Sequence, residues 1–254
     1  MHLTARQTEI VELAKTQGRV QVDELAAHFD ITPQTIRMDL NSLCSNKVLI
    51  RFHGGAFFPE ARENVEYEAR RQIASEEKAT IGEETAKLIP DHSSLFMNIG
   101  TTTEAVGQAL INHQGLMVVT NNINVANKLR LYPSFEVAIA GGVVRPSDGG
   151  IVGEAAIDFI NQFRVDYAVI GASAIDPDGS LLDFDFREVK VAQAIISKAR
   201  HVILVADSTK FERRAPVVIA QMAQVDTLVT DHISKPSIRR ICAEGDVRII
   251  ETSS

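Results

Sequence analysis

Apolar residues recur along this chain in two rhythms, helical in the first fifty or so positions and strand-helix alternating after about residue 75. Near the start, Ile10, Val11, Leu13 and Ala14 form a stripe behind Thr4-Ala5-Arg6-Gln7, a capping-box sequence, and the stripe stops at Gly18. This predicts a helix over roughly 4–17. Asp23 is placed to cap a second helix, with Leu25, Ala26 and Phe29 inward and an end near Asp30. Thr32-Pro33 then supplies an N-cap and a proline at the first helical position, and Ile36, Leu40 and Leu43 follow at i, i+4 and i+7. The other faces of this third helix carry Gln34, Thr35, Arg37, Met38, Asn41 and Ser42. A β-like run at 48–52 leads into His53-Gly54-Gly55-Ala56, which predicts a hairpin.

Beyond residue 75, Val/Ile/Leu-rich runs at 94–99, 117–120, 135–140, 166–171, 201–206, 227–230 and 247–250 predict strands. Amphipathic stretches at about 76–89, 102–112, 123–131, 153–163, 187–199 and 235–243 predict the helices between them. Near-continuous apolar strands alternating with helices indicate an α/β domain whose mostly parallel sheet is covered on both faces. Between the two regions, residues 59–77 are charge-dense and poor in large aliphatics, a linker that turns helical toward its end. The expected organisation is therefore a head at 1–58, a linker at 59–77 and an α/β domain at 78–254.

Composition adds exclusions. With 45% hydrophobic and 23% charged residues among 254, the chain has the make-up of a soluble globular protein of one large core or two domains. Neither a long apolar span nor a secretion signal is evident, so a cytoplasmic location and no membrane partner are expected. Cys44 and Cys242 stand far apart and form no CxxC, which argues against disulfide scaffolds and zinc fingers. The net charge of −7 at first argues against nucleic acid. Counted by segment, residues 1–58 balance Arg6, Lys15, Arg19, Arg37, Lys47 and Arg51 against Glu9, Glu12, Asp23, Glu24, Asp30 and Asp39, so the whole excess lies beyond.

Two short helices, a tight turn and a third helix opening with small polar side chains form a helix-turn-helix, with the following hairpin as a wing. Thr32, Gln34, Thr35, Arg37 and Met38 would enter the major groove, where glutamine suits adenine and arginine suits guanine or phosphate. Arg51 and His53, with Gly54 and Gly55, would hold the backbone. A three-helix protein-interaction module is the competing reading. In the second region, the run 96–99 passes through Gly100 into Thr101-Thr102-Thr103-Glu104. Backbone N–H groups at such a helix start, joined by hydroxyls, suit phosphate. Asn121, Asn122, Gly141, Gly142 and Ser173 end further strands; with Asp176 or Asp183 for hydroxyls and Lys210 for charge, they would complete a pocket for a small phosphorylated polyol. Asp176-Pro177-Asp178-Gly179-Ser180 also reads simply as a turn. No GxGxxG or GxxxxGK[ST] occurs and no metal-ligand spacing is present, so no cofactor and no metal are expected. The loop carboxylates with Lys190 or Lys210 leave open a sugar-phosphate isomerase-like enzyme bearing an interaction domain.

The run 32–40 followed by Arg51-Phe52-His53-Gly54-Gly55-Ala56 closely resembles the DNA-binding domain of DeoR-type bacterial repressors. The resemblance continues through 99–104, Asn121-Asn122, Ala140-Gly141-Gly142, Asp148-Gly149-Gly150 with Gly153-Glu154, and 206–211. It implies a winged helix-turn-helix followed by a sugar-phosphate sensor domain of ribose-5-phosphate isomerase/CoA transferase-like fold, acting as a repressor and not as an enzyme. The runs 158–163 and 179–185 look like the glycerol 3-phosphate-responsive subgroup. They imply operator DNA and glycerol 3-phosphate as partners, in a homo-oligomer that the family suggests is a tetramer. Two departures stand out: Met38 replaces a second arginine usual in the family, and Ala192 stands where many relatives carry lysine.

Overall fold

The computed structural model describes residues 3–17, 19–46, 48–52, 54–57, 67 and 70–252. His53 and most of the segment 59–77 lie outside the described residues. The chain divides into two compact units, Met1–Arg70 with Pro146–Asp148, and Arg71–Arg145 with Gly149–Ser254.

In the first unit, α1 (Ala5–Gln17), β1 (Arg19–Gln21), α2 (Val22–Phe29) and α3 (Pro33–Ser45) precede a hairpin of β2 (Ile50–Phe52) and β3 (Gly55–Phe57). The capping box forms as the sequence predicts, with Gln7 N–H donating to Thr4 Oγ1 and Thr4 N–H to Gln7 Oε1, each at 3.2 Å. The second helix begins at Val22, one residue before the expected cap, and Gln21 stands at its N-cap without a side-chain bond. It ends at Asp30, which adopts φ 51 and ψ 48 and donates its N–H to the last carbonyls. Thr32 caps α3 by accepting from the Thr35 N–H at 3.3 Å. Ile10, Ala14, Leu25, Ile36, Leu40 and Leu43 form the buried centre. β1, invisible as three residues between two helices, pairs antiparallel with β3, so β3 is the middle strand of the wing sheet.

The second unit opens with α4 (Ser75–Ala86) and then alternates: β4 (Ser94–Met97), α5 (Thr101–Ala109), β5 (Met117–Thr120), α6 (Ile123–Leu129) and β6 (Glu136–Ile139). A short hairpin, β7 (Val143–Val144) with β8 (Ile151–Val152), leads to α7 (Glu154–Asn161) and β9 (Val165–Ile170). Then come β10 (Ala174–Ile175), β11 (Ser180–Asp183), α8 (Phe186–Lys198), β12 (Ala199–Val205), β13 (Val217–Gln221), β14 (Thr227–Thr230), α9 (Pro236–Glu244) and β15 (Arg248–Glu251). The seven predicted strands form one sheet in the order β15-β14-β12-β9-β4-β5-β6, every neighbouring pair parallel.

Alternate residues of each strand face opposite layers. Leu95, Met97, Val118, Ile203, Val205 and Val229 pack with α4, α5 and α6. Phe96, Val119, Ala168, Ile170, Leu204 and Leu228 pack against α7, α8, α9 and the small sheet β10-β11-β13. Where the central strands are buried on both faces, successive positions are apolar, which explains the near-continuous runs in the sequence.

Candidate functional site

Parallel pairing brings the carboxyl ends of all seven strands to one edge. The chain enters the sheet at β4, proceeds outward through β5 and β6, then restarts at β9 on the other side of β4 and runs out through β12, β14 and β15. The topological switch point is thus the crevice between β4 and β9, where open α/β sheets bind ligands. Two loops meet there, 98–100 and 171–173. A Cβ on Gly171 would stand 3.8 Å from the Ile99 carbonyl oxygen and 3.9 Å from that of Val205, ordinary contact distances that mark where three strand ends converge.

Gly100 has φ +148, a conformation that side chains resist, and it opens α5 without a side-chain cap. The first N–H groups of α5 therefore find no acceptor in their own cap, as an anion site requires. The threonines divide the work. Thr101 is half-buried and Thr102 is 5% exposed. Thr103 is fully buried, and its hydroxyl donates to the Asn98 carbonyl at 2.9 Å and the Gly100 carbonyl at 2.7 Å. Thr103 shapes the loop, and its proton is committed there.

The remaining candidates separate in the same way. Asn122 caps α6, its Oδ1 accepting from Asn124 and Val125 N–H groups at 2.9 and 3.3 Å, while its Nδ2 donates to Glu104 at 3.2 Å. Asn121 is fully buried; its Nδ2 donates to the Ile151 carbonyl at 3.1 Å and its Oδ1 has no partner among the described residues. Gly141 and Gly142 are exposed, and a Cβ on Gly142 would meet the Val152 carbonyl oxygen at 2.8 Å, so that glycine admits the β7-β8 hairpin. Ser173 donates to Asp183 Oδ2 at 2.8 Å, while Asp183 Oδ1 accepts from the N–H groups of Phe184 and Asp185 at 2.6 and 3.3 Å. Asp183 is a buried loop anchor.

Asp176 is not brought to this edge. It sits at the tip of the β10-β11 hairpin, whose Gly179 carbonyl accepts from Met222 N–H at 2.8 Å. Met222 lies just ahead of the amino end of β14, so the hairpin carries Asp176 toward the opposite edge. The turn reading of 176–180 fits this geometry: Asp178 accepts from the Ser180 N–H at 2.9 Å, which holds its carboxyl below the ordinary range. Lys210 is 8% exposed, with Nζ 3.8 Å from Asp207 Oδ2. Lys190 is exposed and 3.9 Å from Glu154, and Ala192 is buried in the core.

Sequence reasoning did not single out Asp207 or Asp231 as site residues, and it named Asp185 only among the loop carboxylates of the enzyme reading. Asp207, 1% exposed, follows β12 directly. Asp231, after β14, accepts from the Ser208 N–H and hydroxyl at 2.6 and 2.7 Å. Asp185 caps α8 and pairs with Arg187 at 2.8 Å and Arg145 at 3.3 Å; the Arg187 hydrogen bond foremost pulls its pKa down to about 2. Each follows a β-strand, and that position in the chain was the available signal.

In the first unit, α3 presents Gln34, Arg37, Met38 and Asn41 to solvent, with Thr35 half-buried beside its cap partner. Asp39 on the same helix is 7% exposed and faces inward, accepting from Arg6 Nε at 2.6 Å and Gln7 Nε2 at 3.2 Å. The hydrogen bond from Arg6 to Asp39 raises the arginine pKa further. The contact ties α1 to α3 and removes a negative charge from the exposed face. In the wing, Arg51 is exposed and its Nη1 donates to the Gly55 carbonyl, and Gly54 sits at the turn with φ +88 and open space where a Cβ would stand.

Comparison with known proteins agrees in both units. Residues 6–62 match the DeoR-like helix-turn-helix domain and residues 73–232 the DeoR C terminal sensor domain. The chain belongs to the DeoR family. As a DeoR protein it is a DNA-binding regulator and not an enzyme. It is 45% identical over 249 residues to the glycerol-3-phosphate regulon repressor of Escherichia coli (strain K12), covering 98% of this chain and 99% of that one. It is 47% identical over 256 residues to the protein of the same name from Haemophilus influenzae, covering 98% and 100%. Ribose 5 phosphate isomerase A from Neisseria gonorrhoeae aligns over 53% of this chain and 52% of its own at 13% identity and a TM-score of 0.39. Among the described residues no His/Cys/Asp/Glu group could hold a metal, and no helix is long and apolar enough to cross a membrane.

Proposed function

We propose that this DeoR protein represses genes of glycerol 3-phosphate metabolism and leaves its operator when glycerol 3-phosphate binds the sensor unit. The observation that carries the reading is the strand-glycine-helix junction at Gly100, set at the switch point of the sheet with no side-chain cap on its first N–H groups. Full-length identity to two proteins named as glycerol-3-phosphate regulon repressors supports the choice of effector. Gly100, Thr101 and Thr102 cradle the phosphate, with Thr103 holding the loop in shape, and Lys210 supplies positive charge. Gln34, Thr35 and Arg37 read bases while Arg51, His53 and the wing glycines hold the backbone. Residues 1–58 serve as head, 59–77 as connection and 78–254 as sensor, in a cytoplasmic protein.

The active form is a homo-oligomer, a tetramer by family resemblance. An exposed apolar group on the sensor unit supports self-association: Phe184 and Phe186 are each 63% exposed, on either side of Asp185, whose partner Arg145 adjoins Val144 and Val143. Binding needs at least two heads for adjacent half-sites.

Calorimetric titration of the full chain tests the effector site. Glycerol 3-phosphate binds and glycerol does not, and Gly100→Val weakens the phosphate ester by at least about tenfold through loss of charge-assisted hydrogen bonds. Equal affinity for glycerol, or an unchanged constant in the variant, contradicts the assignment.

A further inference from the structure

The chain passes between the two compact units at more than one place. Besides the junction at Arg70–Arg71, it leaves the second unit after Arg145, gives Pro146–Asp148 to the first, and returns to the second at Gly149. Those residues are the tip of the β7-β8 hairpin. A short loop between two strands of the sensor sequence is thus grouped with the unit that contains the helix-turn-helix.

Both ends of the loop are held in the second unit. At one end, Arg145 reaches Asp185 Oδ2 at 3.3 Å and Glu188 Oε2 at 2.6 Å, which fixes it to the start of α8. At the other, the Ile123 N–H donates to the Gly149 carbonyl at 3.3 Å, Asn122 bridges antiparallel to Gly150, and the Ile151 N–H donates to the Asn121 carbonyl at 2.8 Å. Asn122 Nδ2 also donates to Glu104 Oε1 at 3.2 Å, and the Glu104 N–H donates to the Gly100 carbonyl at 2.9 Å in the first turn of α5. A run of hydrogen bonds therefore leads from the Gly100 junction to residues 149–151. Across the base of the loop, the Arg145 N–H donates to the Gly150 carbonyl at 2.8 Å and the Gly149 N–H to the Arg145 carbonyl at 3.0 Å. Three residues between such anchors have little length in which to absorb a shift of their ends.

Within the first unit the loop is anchored by charge. Asp148 is 5% exposed, its Oδ2 lies 3.6 Å from Arg70 Nη2, and its Oδ1 accepts from the Ser147 hydroxyl at 3.5 Å. A buried carboxylate is costly unless it is paired, so the positions of Asp148 and Arg70 are tied. We propose that the 146–148 loop is the coupling arm of this regulator: effector closing on the Gly100 junction shifts residues 149–151 through Asn122, and the Asp148–Arg70 pair carries that shift into the operator-binding unit. This rests on the proposed reading of effector and operator. Asp148 and Arg70 touch neither ligand, and act as positioning residues for release alone.

The test measures fluorescence anisotropy of the full chain on DNA upstream of glycerol-utilisation genes, with and without glycerol 3-phosphate, and calorimetry of glycerol 3-phosphate on the DNA-free protein. Wild type loses about 5- to 150-fold in DNA affinity at saturating effector. Asp148→Asn keeps the shape and removes the charge: DNA and effector each bind alone within about threefold of wild type, yet the loss caused by the effector falls below about threefold. Arg70→Gln breaks the pair from the other side with the same result expected, and it serves alone if the buried asparagine prevents folding. A variant that keeps the full wild-type loss overturns the inference while leaving the repressor reading in place. So does a variant that no longer binds effector or DNA at all, which makes the pair a structural anchor. Wild type whose DNA binding ignores glycerol 3-phosphate overturns the repressor reading, and the coupling arm with it.

Discussion

Met38 is 67% exposed on the face of α3 that also carries Gln34 and Arg37, so the departure from the family pattern falls at a surface position and not in the core. Met38→Arg restores a side chain able to pair bidentately with guanine and tightens operator binding by about 1–3 kcal/mol in fluorescence anisotropy. An unchanged constant shows that this position makes no DNA contact. One residue further, Asp39 turns inward to Arg6 and Gln7. A charge count made from sequence weighs Arg6 and Asp39 separately, yet their pairing removes both from the account of the DNA face. The sensor repeats the lesson: Asp183 suits a ligand by residue type, and the structure commits both its oxygens to the loop.

At the scale of elements, α4 and α5 pack so closely that a Cβ on Gly82 would stand 2.8 Å from the carbonyl carbon and oxygen of Ala105. In an exposed helix, glycine to alanine adds roughly 1 kcal/mol of stability. Here the sign reverses: Gly82→Ala destabilises the sensor unit by about 1–3 kcal/mol through overpacking, seen as a lower urea midpoint. A gain in stability would mean the helices part without cost.

The large sheet was legible because strands of four to seven residues, most of them buried on both faces, write long Val/Ile/Leu runs between turn residues. β7, β8 and β10 are two residues each, too short to show a period, and β1 is three. Their absence from the sequence reading hid where the 176–180 turn points, and with it the separation of Asp176 from the other candidates. The 146–148 loop was passed over for a related reason: the compact unit to which a loop belongs is a property of the contacts around it, which residue type and spacing do not carry. The Gly100 junction was legible, since a glycine between a strand and a threonine-rich helix start states its geometry in the sequence.

For the whole molecule, the −7 charge belongs to the region beyond residue 58, and the balanced head must bind through the placement of a few groups. In the proposed oligomer weak single heads would gain from linkage, since the second head binds at high effective concentration. Under the proposed function effector and operator are coupled, and each must weaken the other by the same factor. The most direct measurement is a gel-shift titration of the full chain on DNA upstream of glycerol-utilisation genes, with glycerol 3-phosphate added. The account predicts release of the DNA at sub-millimolar effector, on the order of a 5- to 150-fold loss of affinity for a coupling of about 1–3 kcal/mol, with no release by glycerol. Operator binding indifferent to glycerol 3-phosphate would contradict it.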